Sequence, residues 1–361
     1  MNKTIAIICD HRLSATRIGG MEHFYKMLNN NLIEEGFSVD WFFTYYDGFE
    51  FLSSLNIISA EGQSVEERFV QVSKKEKNIY CKIVTHFTVI CSPYYKEYSK
   101  LHSTAKIIAV DHNPRPIEGF SLIKKIKNYL KSLMYSRFIT NFIAVSEYSK
   151  LHLIKDFSII IKNKICIIHN GISVDKIVKK EEYNTNTNFI VTAHLRKIKG
   201  IQDLIKAVLK LPIQISEKVK VTVFGEGPYE QELKLLVKEN GLQNQIDFKG
   251  SVSDLHQRYA SYDYLIHPSY GETYCYSVVE SLTAKLPVIT TNNIGNVLQL
   301  VKENKNGFLF EAGDIMKLSN IIEDIVSSKK SISSKTFQEA EIPDMSIQRM
   351  VREHTNIIRC I

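Results

Sequence analysis

The chain has 361 residues, 44% of them hydrophobic and 24% charged, with a formal net charge of +7. These proportions suit a soluble protein of about two domains and exclude disordered and collagen-like classes. The surplus of cations fits an anionic partner such as a nucleotide, an acidic membrane face or nucleic acid, without choosing among them.

The amino terminus reads Thr4-Ile5-Ala6-Ile7-Ile8, a first strand rather than a signal peptide. It runs into Asp10 to Gly20, ending in the pair Gly19-Gly20, and a helix follows with apolar positions at Met21, Phe24, Tyr25, Leu28, Leu32 and Ile33. Gly36 closes that helix and Phe37 to Phe43 is the second strand. A glycine pair at a helix entrance admits a ligand to the backbone, or simply makes a tight turn. Residues 78–92 hold two strand-like pieces around His86, and Ala105 to Val110 is a strand ending in Asp111-His112-Asn113-Pro114-Arg115-Pro116. Polar groups just past a strand's carboxyl end are where α/β chemistry gathers, although a lone histidine there also serves structure.

Ser121 to Arg137 follows as an amphipathic helix. Its apolar side is expected to pack on the first domain, leaving Lys124, Lys125, Lys127 and Lys131 on the other face, toward solvent or an anionic leaflet. Phe142 to Val145 is a strand, and Ile165 to Ile168 leads to the turn His169-Asn170-Gly171. The polar run Lys179 to Asn188 reads as a linker. A second alternating region starts with strand Phe189 to Ala193, then His194, Arg196, Lys197, Lys199 and Gly200 before helix Ile201 to Lys210. Cations beside a helix N-terminus suit phosphate charge. Val219 to Phe224 ends in Gly225-Glu226-Gly227-Pro228, and Asp254 to Ser261 is a short helix. Helix Ile315 to Val326, a polar stretch, and a last helix with apolar Met345, Ile347, Met350, Val351 and Ile357 complete the chain. The six cysteines include no C-x-x-C pair, which argues against disulfides or a zinc site and for a reducing cytosol.

The most informative stretch is His267 to Glu280. A strand from Tyr262 to Ile266 precedes it, Pro268 and Gly271 break that strand, a helix covers Ser277 to Lys285, and Leu286 to Thr290 is the next strand. This βαβ unit carries Glu272 in its loop and Glu280 in its helix, an E-x7-E spacing that lets two carboxylates face one cleft. Ser277-Val278-Val279-Glu280 also fits a capping box, so the quartet alone leaves Glu280 between ligand and cap.

Taken in order, Gly19-Gly20, His112, Asn170-Gly171, Lys199-Gly200, Gly225-Glu226-Gly227-Pro228, Phe248-Lys249-Gly250 and Pro268-Ser269 with Glu272 and Glu280 resemble the retaining GT-B glycosyltransferases of family 4. The resemblance implies an α/β fold of two Rossmann-like domains facing each other across a cleft. Residues 1–182 would be the acceptor-side domain, 183–330 the nucleotide-sugar domain, and 331–361 a segment whose helix returns to the first domain. Carried over by position, Glu280 holds the ribose hydroxyls, Glu272 meets the transferred sugar, and the backbone from Thr273 through Tyr274 and Cys275 to Tyr276 lies along sugar and diphosphate. Lys199 stabilises the leaving diphosphate. Arg196 substitutes for a family arginine whose place His194 takes. His112 sits near the reacting carbon, while Gly19 and Gly20, with Gly225, belong to the loops that shape donor and acceptor binding. No D-x-D occurs, so neither metal nor cofactor is expected beyond a UDP-linked donor. Departures are Tyr274-Cys275-Tyr276 in a usually small pocket and Gly295-Asn296-Val297-Leu298-Gln299 where a glycine-rich pattern is usual.

The implied function is transfer of a hexose-type sugar to a glycan or lipid-linked acceptor in surface polysaccharide synthesis, by a cytoplasmic or peripheral membrane enzyme. A nucleotide-sugar epimerase of the same fold and a non-catalytic partner subunit are the alternatives. Nucleic acid is not an expected partner, because no exposed aromatics interleave with the basic residues in a known module.

Overall fold

The computed structural model describes residues 3–15, 18–76, 80–116, 119–183 and 187–361. Thr16 and Arg17 of the first loop and 184–186 of the expected linker lie outside the described residues. The chain divides into two compact units, Met1–Gly171 with Ser346–Ile361, and Ile172–Met345.

Unit 1 begins with β1 (Thr4–Leu13), α1 (Gly20–Glu34), β2 (Ser38–Tyr46), β3 (Asn56–Ser59), α2 (Val65–Glu76) and β4 (Lys82–His86). It continues with α3 (Tyr94–Leu101), β5 (Lys106–Asp111), α4 (Leu122–Tyr135), β6 (Asn141–Ala144), α5 (Glu147–Phe157) and β7 (Ile165–Ile167). Its seven strands are ordered β3-β2-β1-β4-β5-β6-β7, and every pairing is parallel. Ile5, Ile7, Ile83, Val84, Ile107 and Ile108 are buried, the near-continuous apolar strands of a sheet covered on both faces.

Unit 2 opens with β8 (Asn188–Thr192), α6 (Ile201–Leu209), α7 (Ile213–Ser216), β9 (Lys220–Phe224), α8 (Glu230–Glu239) and β10 (Ile246–Gly250). Then come α9 (Leu255–Arg258), β11 (Tyr264–His267), α10 (Tyr276–Thr283), β12 (Val288–Thr291), α11 (Ile294–Val297) and β13 (Gly307–Phe310). Helices α12 (Ile315–Val326) and α13 (Ser334–Gln338) complete it. Its six parallel strands run β10-β9-β8-β11-β12-β13. Each sheet therefore reverses its winding once, between β1 and β4 in unit 1 and between β8 and β11 in unit 2. Ligands of open α/β sheets bind outside the carboxyl ends of strands at such points.

The last helix, α14 (Ile347–Cys360), packs on α1, where the Phe24 and His354 rings meet edge to face at 4.9 Å. Its buried stripe is Ile347, Met350, Val351, His354, Thr355 and Ile358, so Ile358 rather than Ile357 closes it, and Met345 belongs to unit 2.

Several sequence expectations need correction. The divide falls at Gly171/Ile172 and Met345/Ser346 rather than at 182/183 and 330/331. Polar composition hid the packing of residues 172–183 on unit 2: Ile172 N–H donates to the Met345 carbonyl (2.9 Å), Lys180 N–H to that of Ala284 (2.8 Å), and the Tyr183 hydroxyl to that of Lys285 (2.6 Å). Among the described residues of 78–92 there is one strand, β4, rather than two strand-like pieces around His86. The expected helix from Asp254 to Ser261 is the short α9 followed by a 3-10 turn, Tyr259–Ser261. In α4 the buried residues are Asn128 and Ser132 while the apolar residues are exposed, the reverse of the expected orientation. Period 3.6 shows which residues share a helix face but not which face meets protein.

Candidate active site

At the unit 2 switch point, the loop after β8 and the loop after β11 are stitched together by main chain. Tyr270 N–H donates to the Ile198 carbonyl (2.9 Å), and the Ser269 hydroxyl reaches the same oxygen (3.4 Å). Gly200 makes this approach feasible. Its φ is +70°, and a Cβ there would run into the Pro268 carbonyl. Gly225, at φ +121°, likewise lies against the Ala193 carbonyl.

This stitching brings Lys199 onto Glu272. The ammonium donates to Glu272 Oε1, which also accepts from Ser269 Oγ (3.3 Å) and His267 Nε2 (3.4 Å). Burial opposes a charge on Glu272, but the His267 hydrogen bond and the Lys199 charge outweigh it and bring the carboxyl down to about 2. All three donors converge on Oε1, so Oε2 carries no protein partner among the described residues. An ionised carboxylate has acceptor capacity to spare there.

His267 is held from behind. The Thr290 hydroxyl donates to the His267 carbonyl (3.1 Å), so its oxygen accepts from His267 Nδ1 (3.0 Å), leaving Nε2 toward Glu272 and the Cys275 sulfur (3.2 Å). Burial disfavours imidazolium, yet Cys275 and Glu272 favour it more, and the ring rises to about 9. His267, Glu272 and Cys275 each bring one ligand atom within 4.8 Å of the others. These atom types suit a zinc-like ion, but a cation would have to displace Lys199 and the imidazole proton from the same carboxylate.

Glu280 is not a cap. The N-cap of α10 is Cys275, no side chain caps that end, and the Ser277 hydroxyl donates to the Thr192 carbonyl (2.8 Å). Glu280 instead lines a pocket of about 290 Å³ with His194, Gly225, Glu226, Ser251 and Ser277. Its Oε2 accepts from the Tyr259 hydroxyl (2.7 Å), which lies 3.1 Å from Thr192 Oγ1. Because an ionised carboxylate only accepts, the protons run from Thr192 to Tyr259 to Glu280. Burial in the pocket wall raises the pKa of Glu280 despite the Tyr259 bond. Its Oε1 is unpartnered among the described residues. Each glutamate thus has one oxygen anchored by protein and one unpaired.

The remaining expected donor-side residues surround these two. Tyr274 and Cys275 are buried, Thr273 is half-buried, and Tyr276 is exposed with its ring 5.1 Å from that of Tyr274. Arg196 is exposed beside Lys199, and among the described residues no carboxylate pairs with it.

In unit 1, Gly19 N–H donates to Glu22 Oε2 (2.7 Å), and Glu22 Oε1 lies 2.9 Å from His11 Nε2. His11 stacks on Phe87 at 5.6 Å, and Phe87 stacks on His112 at 4.3 Å. His112 Nε2 meets His86 Nδ1 at 3.1 Å. Gly19, Gly20 and His112 thereby flank the β1/β4 switch point. Burial, reinforced by His354 and His11, lowers His112 to about 3, and burial lowers His354 to about 4 and His86 well below the usual imidazole range. His112 is therefore neutral near pH 7. His11, Glu22, His86, Phe87, His267, Tyr259 and His354 were not singled out from sequence. Only His86 and His267 had a signal to follow, as histidines at the ends of apolar runs.

Comparison with known proteins shows what this chain is similar to. Residues 173–341 match the model of glycosyl transferases group 1. The chain is 22% identical to a poly(ribitol-phosphate) alpha-N-acetylglucosaminyltransferase of Staphylococcus aureus, over 85% of this chain and 65% of that enzyme. It spans about half to two thirds of the first curated relatives it matches. Among solved structures, Anabaena HepE in complex with UDP-glucose superposes with a TM-score of 0.72 at 18% identity, covering 99% of this chain and 100% of that one. WaaG, a glycosyltransferase involved in lipopolysaccharide biosynthesis, gives 0.71 at 15% identity over 98% and 99%. Residues 173–341 are thus similar to a group 1 glycosyl transferase domain, and the two Rossmann-like units have the fold of GT-B glycosyltransferases.

Proposed function

We propose that the chain is a retaining, family 4 glycosyltransferase that moves a hexose-type sugar from a UDP-linked donor to a glycan or lipid-linked acceptor in surface polysaccharide synthesis. The observation that carries this reading is the pair of half-anchored glutamates at the unit 2 switch point. Glu280 Oε1, at the 290 Å³ pocket, accepts from the ribose hydroxyls, and Glu272 Oε2 accepts from hydroxyls of the transferred sugar. Backbone from Thr273 to Tyr276 lies along the diphosphate, at the uncapped start of α10. Lys199 and the exposed Arg196 counter the charge that grows on the leaving diphosphate, an electrostatic term larger in the transition state than in the ground state. Nothing in this scheme calls for a metal ion. On the acceptor side, Gly19-Gly20 and neutral His112 offer backbone and imidazole hydrogen bonds rather than charge. The similarity to HepE, solved with UDP-glucose, supports the donor class, and that to a poly(ribitol-phosphate) alpha-N-acetylglucosaminyltransferase and to WaaG of lipopolysaccharide biosynthesis supports the setting. Work at the cytosolic face of a membrane, attached through α4, completes the reading.

The test is a screen of sugar nucleotides for protection against thermal unfolding, followed by donor turnover. A ligand at about 100 times its dissociation constant adds roughly 2.7 kcal/mol. Protection by a UDP-sugar with slow release of UDP and free sugar supports transfer. A free epimerised sugar nucleotide would favour an epimerase, and no protection by any donor would favour a non-catalytic partner.

A further inference from the structure

In α4 the buried side chains are polar, and the large apolar ones are exposed. Asn128 and Ser132 are buried, whereas Leu122, Ile123, Ile126, Leu130, Leu133 and Met134 are between 46% and 73% exposed. At about 100° per residue these six fall within an arc of roughly 120°, with Tyr129 at its edge. Lys124, Lys127 and Lys131 border one side of the arc and Lys125 the other, and no acidic residue occurs from 121 to 137. Adjacent α5 carries exposed Leu151, and exposed Ile159 and Ile160 follow it. A contiguous exposed apolar face of this kind marks a binding or membrane surface.

The charge pattern selects the occupant. Two copies meeting through this face would bring their lysine borders together, whereas anionic lipid neutralises them. The helix has 14 residues, about 21 Å long, too short to span a bilayer and suited to lying in its interface. Among the described residues no helix is long and apolar enough to cross a membrane.

We propose that α4 inserts its apolar face into the headgroup–acyl boundary of an anionic bilayer, so that attachment rests on insertion and the lysines add to it. This rests on the membrane reading above and deepens it. A cavity of about 180 Å³ lined by Phe87, Val89, Phe120, Lys124 and Asn128, among others, shares two residues with α4. Seating the helix sets that cavity at headgroup level, where an acceptor with a lipid tail enters from the bilayer side.

Cosedimentation with phosphatidylglycerol-containing and pure phosphatidylcholine vesicles tests this, on the full chain at 0.1 M and about 1 M salt. The variants are Ile123→Ser/Ile126→Ser/Leu130→Ser and Lys124→Gln/Lys125→Gln/Lys127→Gln/Lys131→Gln. All seven positions lie at the surface or half-buried, and unchanged circular dichroism melts confirm folding. Wild type should bind anionic vesicles and keep part of that binding at high salt. The serine variant should lose on the order of a hundredfold. The glutamine variant should bind more weakly, and its residual binding should no longer respond to salt. If the serine variant binds like wild type and salt abolishes binding, insertion is refuted while electrostatic attachment stands. If wild type ignores vesicles and sediments as a dimer that the serine variant dissolves, the face is a protein interface and the membrane reading fails as well. Donor turnover on a soluble acceptor fragment, measured in parallel, reports the transferase reading independently.

Discussion

Replacing Glu280 by glutamine separates its charge from its shape. In the structure Oε2 accepts from the Tyr259 hydroxyl at 2.7 Å, and glutamine can turn its carbonyl to the same donor. What it cannot supply is the second anionic oxygen. Ribose hydroxyls that donate to Oε1 would face an amide NH2, which is itself a donor. Losing a hydrogen bond to a charged group costs about 1.5–3 kcal/mol, so the dissociation constant for a UDP-sugar should rise from about tenfold to somewhat over a hundredfold. Folding stability should move by less than about 1 kcal/mol, because the Tyr259 bond survives and burial already disfavours the Glu280 charge. Titration calorimetry with the donor, paired with urea unfolding, measures both numbers. Unchanged affinity with a stability loss above about 2 kcal/mol would show that Glu280 is structural and that the pocket beside it is not the ribose site.

If Lys199 and Arg196 stabilise the leaving diphosphate, alanine at either should lower kcat more than it raises KM, and an Arg196→Ala enzyme with wild-type kinetics would remove that residue from the scheme. Acid should destabilise unit 1 well above the carboxylate range. His112 and His354 are held at about 3 and about 4, below an unfolded value near 6.5, so their stabilising contribution is lost as pH falls below 6.5. At pH 5 that amounts to about 2 kcal/mol for each. The sole tryptophan, Trp41, is buried in unit 1, so its fluorescence in urea follows this unit rather than unit 2, where His267 at about 9 acts in the opposite sense. Replacing His354 with glutamine should flatten the pH 5–7 trend by about 2 kcal/mol, and an identical slope in variant and wild type would show the ring is not buried neutral.

Legibility followed the physics that each feature depends on. The alternation of apolar strands with periodic helices announced two α/β halves, because burial on both faces of a parallel sheet leaves continuous apolar runs such as Ile5 to Ile8 and Ile107 to Val110. Glycines required by backbone approach were equally visible: Gly200 and Gly225 stand where the main chain comes up against the carbonyls of Pro268 and Ala193. Side-chain partnerships across distant segments were not. Tyr259 lies 21 residues before Glu280, and Lys199 lies 73 before Glu272, and neither separation leaves a local pattern. The same limit explains the capping box, since Ser277-Val278-Val279-Glu280 satisfies the motif but the N-cap is Cys275, two residues earlier, and Ser277 donates to the Thr192 carbonyl instead. For α4 the missing information was of another kind. Its periodicity was plain, and the ordinary inference was that an apolar face is buried by its own chain. Asn128 and Ser132 on the protein side, with the apolar arc outside, show that amphipathicity specifies a boundary between two media without saying which of them is the protein. A helix whose solvent-facing side is its apolar side is stable in water only through its neighbours. On the proposed attachment, the second medium is the bilayer.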